Sequence, residues 1–317
     1  MERLDLKDKK ILYELDINSR QSFRSVGRKV GLSKDVVASR VKKLKDSGII
    51  KRFYTRYDAL QLGLNILRFY FKFQYSTPDI KKEIINHFIN NDYVANLFST
   101  EGSYDLGAIT YVEKISDIYP FWKKTLEKYG DYFSERIFSA YMGEKIYGQL
   151  FLLDGIEKHD RTPKRSNMGQ VKIDNVDYEI LKLLVSDART PTVEIAKKLN
   201  SNVTTIHSRI KRLVDSKVIL GFTVELDLEK IGYQEWKVDF YLSEYTKINK
   251  IVKYIEKNPL LLCVDHTIGY ADLELEINVR DINQLHNIIE DLHTKFPKII
   301  RNYTYFRVLK YYKWFNL

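Results

Sequence analysis

The chain has 317 residues, 44% of them hydrophobic and 30% charged, with a formal net charge of +10 and a pI near 9.2. That length is too great for one ordinary domain, and the basic excess favours a polyanionic partner, either nucleic acid or an acidic membrane surface. The lone cysteine, Cys263, excludes an internal disulfide or a CxxC metal site, and no apolar run approaches the roughly 20 residues needed to span a bilayer, so a cytoplasmic location without membrane association is expected.

Residues 6–17 are expected to form a helix, with Ile11, Leu12 and Leu15 on one face. Residues 22–30 form a short second helix carrying Val26 and Val30. Gly31-Leu32-Ser33 makes a tight turn, where Gly31 can take positive φ and Ser33 can cap the next helix. That third helix, about 34–47, turns Val37, Val41 and Leu44 inward and Asp35, Ser39, Lys42 and Lys43 outward. Gly48 ends it, and 49–56 reads as wing strands. This is a helix-turn-helix pattern, whose last helix is the one that can enter a major groove. Residues 34–56 hold eight lysines and arginines against Asp35 and Asp46, an electrostatic footprint for phosphates. The expected DNA contacts are Ser33, Lys34, Asp35, Ser39, Lys42, Lys43, Lys51 and Arg52. Arg40, beside the apolar stripe, is assigned a structural or phosphate role. The competing reading is a three-helix core module whose charged face is merely solvated.

Residues 65–75 read as an aromatic-rich strand, and Thr77-Pro78 opens a helix to about 90. Strands follow near 93–100 and 104–112. Ser116 is expected to cap a helix to about 129, and a strand runs near 132–141. The order β-α-β-β-α-β is a ferredoxin-like split unit. Two helices on one face of its antiparallel sheet leave the other face apolar, so pairing between the halves or between chains is expected. Residues 144–153 look like an extra aromatic strand suited to an interface, and 154–171 has linker chemistry.

The chain then repeats itself. Residues 5–63 align without a gap with 174–232 at an offset of 169, and Gly102–Leu106 returns as Gly269–Leu273 with a two-residue slip. A period of this length is domain duplication. In the second half Ile206, Ile210 and Leu213 point inward, and Thr204, Ser208, Lys211 and Arg212 point outward as a second set of DNA contacts. Residues 203–225 hold only four cations against Asp215 and Glu225, so this reader binds DNA more weakly or reads a different half-site. Asn200-Ser201-Asn202 replaces the glycine turn, and Lys217 replaces the helix-ending glycine. Arg209 is assigned the same structural or phosphate role as Arg40, and His207 is taken as a surface histidine. The strand-helix order recurs from 234 to about 309, with a further aromatic stretch at 303–315. The fold class is therefore α+β: two winged helix-turn-helix domains (1–57 and 172–226) and two ferredoxin-like βαββαβ sensing domains (58–153 and 227–317) in tandem, joined by the linker 154–171.

The opening Leu4-Asp5-x-x-Asp8-x-x-Ile11-Leu12-x-x-Leu15, the segment Gly31-Leu32-Ser33 to Ile50, and the turn Gly102-x-Tyr104-Asp105 resemble the leucine-responsive/asparagine-regulator (Lrp/AsnC) family of transcription regulators, twice over. The resemblance implies a homo-oligomer that binds operator DNA and sometimes an amino acid. It places the effector where sensing domains meet, at Gly102, Ser103, Tyr104 and Asp105 and at Gly269, Tyr270 and Asp272. In the second turn the aromatic sits one place early, with Ala271 where tyrosine would stand, which weakens the effector assignment there. Most members carry one copy, so this chain resembles a covalently fused dimer, a pseudo-dimer able to read an asymmetric operator. No catalytic residue, metal ligand or cofactor is expected. Two alternatives stand beside this reading. One is a siroheme decarboxylase-like tetrapyrrole enzyme on the same architecture, although the His-Asn-Tyr-Glu-Arg type motif of those enzymes is missing. The other is a scaffold that does not bind DNA.

Overall fold

The computed structural model describes residues 4–153 and 170–314. The expected linker lies outside the described residues except for Gln170 and Val171, as does Phe315. In chain order the first half runs α1 (Leu6–Ile17), α2 (Phe23–Val30), α3 (Lys34–Asp46), β1 (Ile50–Tyr57), β2 (Asn65–Phe73), α4 (Pro78–Ile89), β3 (Val94–Gly102), β4 (Leu106–Val112), α5 (Tyr119–Tyr129) and β5 (Phe133–Ile146). The second half runs α6 (Asn175–Ser186), α7 (Thr192–Lys198), α8 (Val203–Asp215), β6 (Ile219–Leu226), β7 (Gln234–Leu242), α9 (Ile248–Ile255), β8 (Leu261–Ile268), β9 (Leu273–Val279), α10 (Ile282–Lys295) and β10 (Ile300–Lys313).

Two local expectations are corrected. Ser116 is not a cap: Ile115–Ile118 is a 3-10 turn, and α5 starts at Tyr119 with a proline in its first turn. Residues 144–153 are not a separate strand. β5 continues to Ile146, and Leu150–Leu152 is a buried 3-10 turn.

The chain divides into two compact units, each built from both halves. One takes the residues up to Leu62 with Tyr147–Tyr233, and the other takes Gly63–Ile146 with Gln234 onward. In the first unit, α1 and α6 open on the same device. Asp5 accepts the Asp8 N–H at 2.8 Å, and Asp174 accepts the Asp177 N–H at 2.9 Å. Such caps satisfy amide donors that a helix start leaves unpaired. Each wing is a single strand, completed by the other half: β1 pairs antiparallel with β6 in a two-stranded sheet. The sequence pattern shows strand propensity here but not the partner.

The bonds around this ladder repeat under exchange of the halves. Ser19 N donates to Phe222 O, and Ala188 N donates to Phe53 O. Asp58 N donates to Val218 O, and Asp227 N donates to Ile49 O. Arg20 donates to Ala188 O at 2.5 Å and Thr190 O at 3.0 Å, while Arg189 donates to Ser19 O and, at 3.2 Å, to Gln21 O. Each half thus makes to the other the contacts it receives from it. Charged hydrogen bonds of this kind are worth about 1.5–3 kcal/mol. Arg20→Ala and Arg189→Ala are therefore each expected to destabilise the first unit by about 2 kcal/mol, measured by urea unfolding. Unchanged midpoints would remove these arginines from the account.

The second unit is a closed eight-stranded antiparallel barrel, in the order β10-β3-β4-β2-β5-β8-β9-β7. Each half supplies four strands, and the seams are β5–β8 and β10–β3. The two sheets thus cover one another, but the covered face is not the apolar one expected from the sequence, since Arg68, Lys237, Asp265 and Glu274 are buried there. Outside the first half's sheet, Leu67, Phe69 and Phe71 pack on Ile84 and Phe88 of α4, with Trp122 and Leu126 of α5 alongside. Among the described residues no helix is long and apolar enough to cross a membrane.

Candidate nucleic-acid interface and barrel interior

α3 is placed by its buried side. Val37, Val41 and Leu44 are almost fully buried, each contributing roughly 1.5–3 kcal/mol of apolar burial. Gly31 takes φ +68°, and Ser33 Oγ accepts the Val36 N–H at 3.3 Å. A side chain at position 31 would be strained, so the turn that aims α3 depends on the glycine. Ser33, Lys34, Asp35, Ser39, Lys42 and Lys43 are all exposed, as is Lys51 on β1. Of the first half's sequence-predicted contacts only Arg52 is half-buried. Arg52 Nε donates to Glu225 Oε2 at 2.5 Å across the β1–β6 ladder. A charge tally along one half cannot see a partner supplied by the other.

α8 repeats the arrangement. Asn202 caps it, accepting the Thr205 N–H at 2.7 Å, and Asn200 and Lys217 take positive φ at 51° and 63° where the first half has glycines. Ile206 and Leu213 are buried, and Ile210 is half-buried. Thr204, Ser208 and Lys211 are exposed, and His207, Ser208 and Lys211 border a shallow surface depression with Asp215. Arg212 also lies at the surface but is tied to Asp177, which has no exposed surface. Its guanidinium is therefore partnered within the fold while the side chain stays exposed. Arg40 and Arg209 take the structural role. Arg40 bridges Asp5 at 2.7 Å and Asp8 at 2.8 Å, and Arg209 bridges Asp174 at 2.7 Å and Asp177 at 2.9 Å. The amide of Asp177, and then Arg209, hold the Asp174 carboxyl down at about 2.

In the barrel, the two expected effector turns converge. The hydroxyls of Tyr104 and Tyr270 lie 2.9 Å apart, and Tyr270 also donates to Asp239 Oδ2 at 2.9 Å. The second turn's early aromatic thus reaches the same place as the first turn's tyrosine. Asp105 and Asp272 each anchor a turn. They accept the Phe73 N–H at 2.7 Å and the Leu242 N–H at 2.6 Å, pinning each turn to a strand end. Ser103 Oγ donates to Tyr305 O at 3.0 Å. Gly102 sits at φ +120°, and a Cβ there would stand 2.7 Å from Tyr305 O, whereas at Gly269 the nearest atom would be 3.6 Å away. Gly102→Ala is expected to cost about 1–3 kcal/mol and Gly269→Ala less. Thermal unfolding of the two variants checks the order.

Sequence reasoning missed the ions inside this barrel. Arg68 donates to Asp265 at 2.7 Å and to Glu274, and Lys237 contacts both carboxylates, reaching Glu274 at 3.2 Å. All four side chains are at most 5% exposed. Burial alone would raise the Asp265 carboxyl, but Lys237 and Arg68 hold it at about 2. Burial, reinforced by Glu274, pushes Asp239 up to about 7. An available signal was a cation within each apolar strand: Arg68 in Ile66–Phe71 and Lys237 beside Trp236 and Val238.

Comparison with known proteins adds the following. A model of the AsnC-type helix-turn-helix domain matches residues 4–45 and again 173–214. An uncharacterized HTH-type transcriptional regulator of Pyrococcus furiosus is 36% identical over 122 residues, 38% of this chain and 82% of that protein. The regulatory protein AsnC of Haemophilus influenzae is 30% identical over 118 residues, 37% of this chain and 79% of that protein. Each relative thus has roughly the size of one half. A solved structure of the siroheme decarboxylase NirDL superposes with a TM-score of 0.66 at 13% identity, covering 99% of this chain and 94% of that one. At that identity the likeness is one of fold.

Proposed function

This chain belongs to the Lrp/AsnC family of helix-turn-helix transcriptional regulators, and from that premise we propose that it reads duplex DNA with α3 and, less tightly, with α8. The observation that carries the proposal is the exposed face of α3, where Lys34, Lys42 and Lys43 surround Asp35 and Ser39 while the other side is locked into the core. Lysines on such a face bind phosphates and set affinity, and short polar side chains between them meet base edges. α8 offers Thr204, Ser208 and Lys211 with fewer free cations. The two halves act as unlike subunits of a pseudo-dimer, so the operator is expected to be asymmetric. We propose in addition that an amino acid or similar small molecule modulates the protein at the Gly102–Asp105 and Gly269–Asp272 turns. Support comes from the meeting of Tyr104 and Tyr270 above Asp239.

The decarboxylase likeness keeps an enzymatic role in view as a second reading. The histidines speak against it. His87 is engaged with Thr125, His286 with Tyr305 and His293 with the ring of Tyr303, while His207 and His266 are exposed. His159 lies outside the described residues. The test is binding of the full chain to its own upstream region across 50–200 mM salt (roughly the range over which counterion release is read). Steep salt dependence supports the regulator. A protein that binds no DNA at the low-salt end but takes up and decarboxylates a tetrapyrrole would replace that reading with the enzyme.

A further inference from the structure

We propose that the barrel interior is a hetero-specific pairing surface: the first half's sheet fits the second half's sheet, and neither fits a second copy of itself. The strand registers show which positions correspond. Arg68 lies opposite Ile109 and Ser139 as Lys237 lies opposite Glu276 and Phe306. Tyr70 lies opposite Gly107 and Ile137 as Asp239 lies opposite Glu274 and Thr304. Phe98 lies opposite Gly107 as Asp265 lies opposite Glu274.

Both halves place a cation at the first of these positions, Arg68 and Lys237, but at the others the first half has aromatic or apolar residues where the second has carboxyls. The first offers Arg68 with Tyr70, Phe98, Gly107 and Ile109. The second offers Lys237 with Asp239, Asp265 and Glu274, all three carboxyls at most 5% exposed. Shape follows the same division. A Cβ on Gly107 would stand 2.4 Å from the ring of Phe98, so that ring occupies space that the second half gives to carboxylates.

A first-half self-pair would bury two copies of Arg68 with no carboxylate at these positions. A second-half self-pair would set eight carboxyls, counting the half-buried Glu276 that stands where the first half has Ile109, against two lysines. Removing one partner from a buried ion pair is strongly destabilising, and like charges brought together without compensation are a known device for rejecting wrong partners. In the observed pairing, Arg68 crosses from one half to bind Asp265 and Glu274 of the other. This inference rests on the barrel alone, so its failure leaves the DNA-reading proposal untouched.

The test uses the full chain with a protease site placed within 154–169. The cut protein is unfolded in urea, refolded and weighed by native mass spectrometry, where the two halves have different masses. Pairs of unlike halves are expected to exceed either self-pair by more than about tenfold. A near-statistical mixture overturns the proposal. The β1–β6 ladder also joins the halves, so the same cut chain carrying Asp265→Asn with Glu274→Gln serves as the control. It is expected to admit second-half self-pairs, and unchanged selectivity would place the lock outside the barrel. Should the cut chain refold poorly, the uncut chain decides. Arg68→Met is expected to lower Tm by more than about 5 °C, and added Glu274→Gln to recover part of the loss. No loss, or no recovery, overturns the proposal.

Discussion

Replacing Asp239 with asparagine is expected to stabilise the protein above neutral pH while changing little, or costing stability, below pH ~5. Asp239 is fully buried, one oxygen accepts from Tyr270, and its carboxyl is raised from 3.8 to about 7 by burial and by Glu274. The sign follows from linkage. Between about pH 4 and pH 7 the folded chain keeps a proton that the unfolded chain has lost, so stability falls as pH rises through that window. Three pH units set a ceiling of about 4 kcal/mol. The amide keeps an acceptor for Tyr270 and has no charge to bury. Tm profiles of the two proteins should therefore separate above pH ~7, with the variant higher. Profiles that run parallel from pH 5 to 9 would show that this carboxyl is not held protonated. Asp265 acts in the opposite sense. Its carboxyl is lowered to about 2, so its contribution is present above the ordinary carboxylate range and is lost as pH falls toward that value.

The second large effect concerns DNA. Lys42→Ala together with Lys43→Ala should weaken binding roughly ten- to a hundredfold at moderate salt, across specific and non-specific sequences alike. Both side chains are exposed on α3, outside the contacts of Val37, Val41 and Leu44, so folding should be preserved. Each phosphate contact contributes about 0.9 to the slope of log K against log salt. The double variant should therefore lose close to two from that slope. Ser39 and Asp35 replacements should instead change sequence preference at a similar salt slope. The matching Lys211→Ala change on α8 should have a smaller effect than the α3 pair.

The fold was legible wherever a pattern has a local cause. Apolar spacing located α1, α3 and α8, the repeat placed α6, and Ser33 and Gly31 marked the turn before α3 through ordinary capping and backbone rules. The gap-free repeat announced two like halves. What stayed hidden depends on partners distant in sequence. The wing strand β1 finds its neighbour 169 positions on, and Arg52 and Arg212 are tied to Glu225 and Asp177 by the fold. The barrel ions were concealed by an ordinary pattern. Leu273-Glu274-Leu275-Glu276-Ile277 alternates like a strand with one wet face. Here the polar face looks into the closed barrel, where Glu274 meets Arg68 and Lys237.

The internal contacts of the two turns were legible only in part, for the same reason. Their glycines and tyrosines stand out in the sequence, and the tyrosines do meet. The carboxylates that accompany them look like ligand-binding groups in a linear motif. In three dimensions Asp105 and Asp272 each hold a strand-end amide, a role that needs the turn and the strand to be seen together.

Cleavage of DNA from a reagent attached to α3 puts the central claim to the most direct trial. Ser39 is exposed, and the chain's only cysteine, Cys263, is buried, so Ser39→Cys offers one site for an iron-chelate cleavage reagent. With the full chain bound to its own upstream region, strand scission is predicted in a narrow window on one side of the site, as for a helix seated in a major groove. Protected DNA with no scission from position 39 would mean that the polar face of α3 points elsewhere, and the account of how this protein reads DNA would be contradicted.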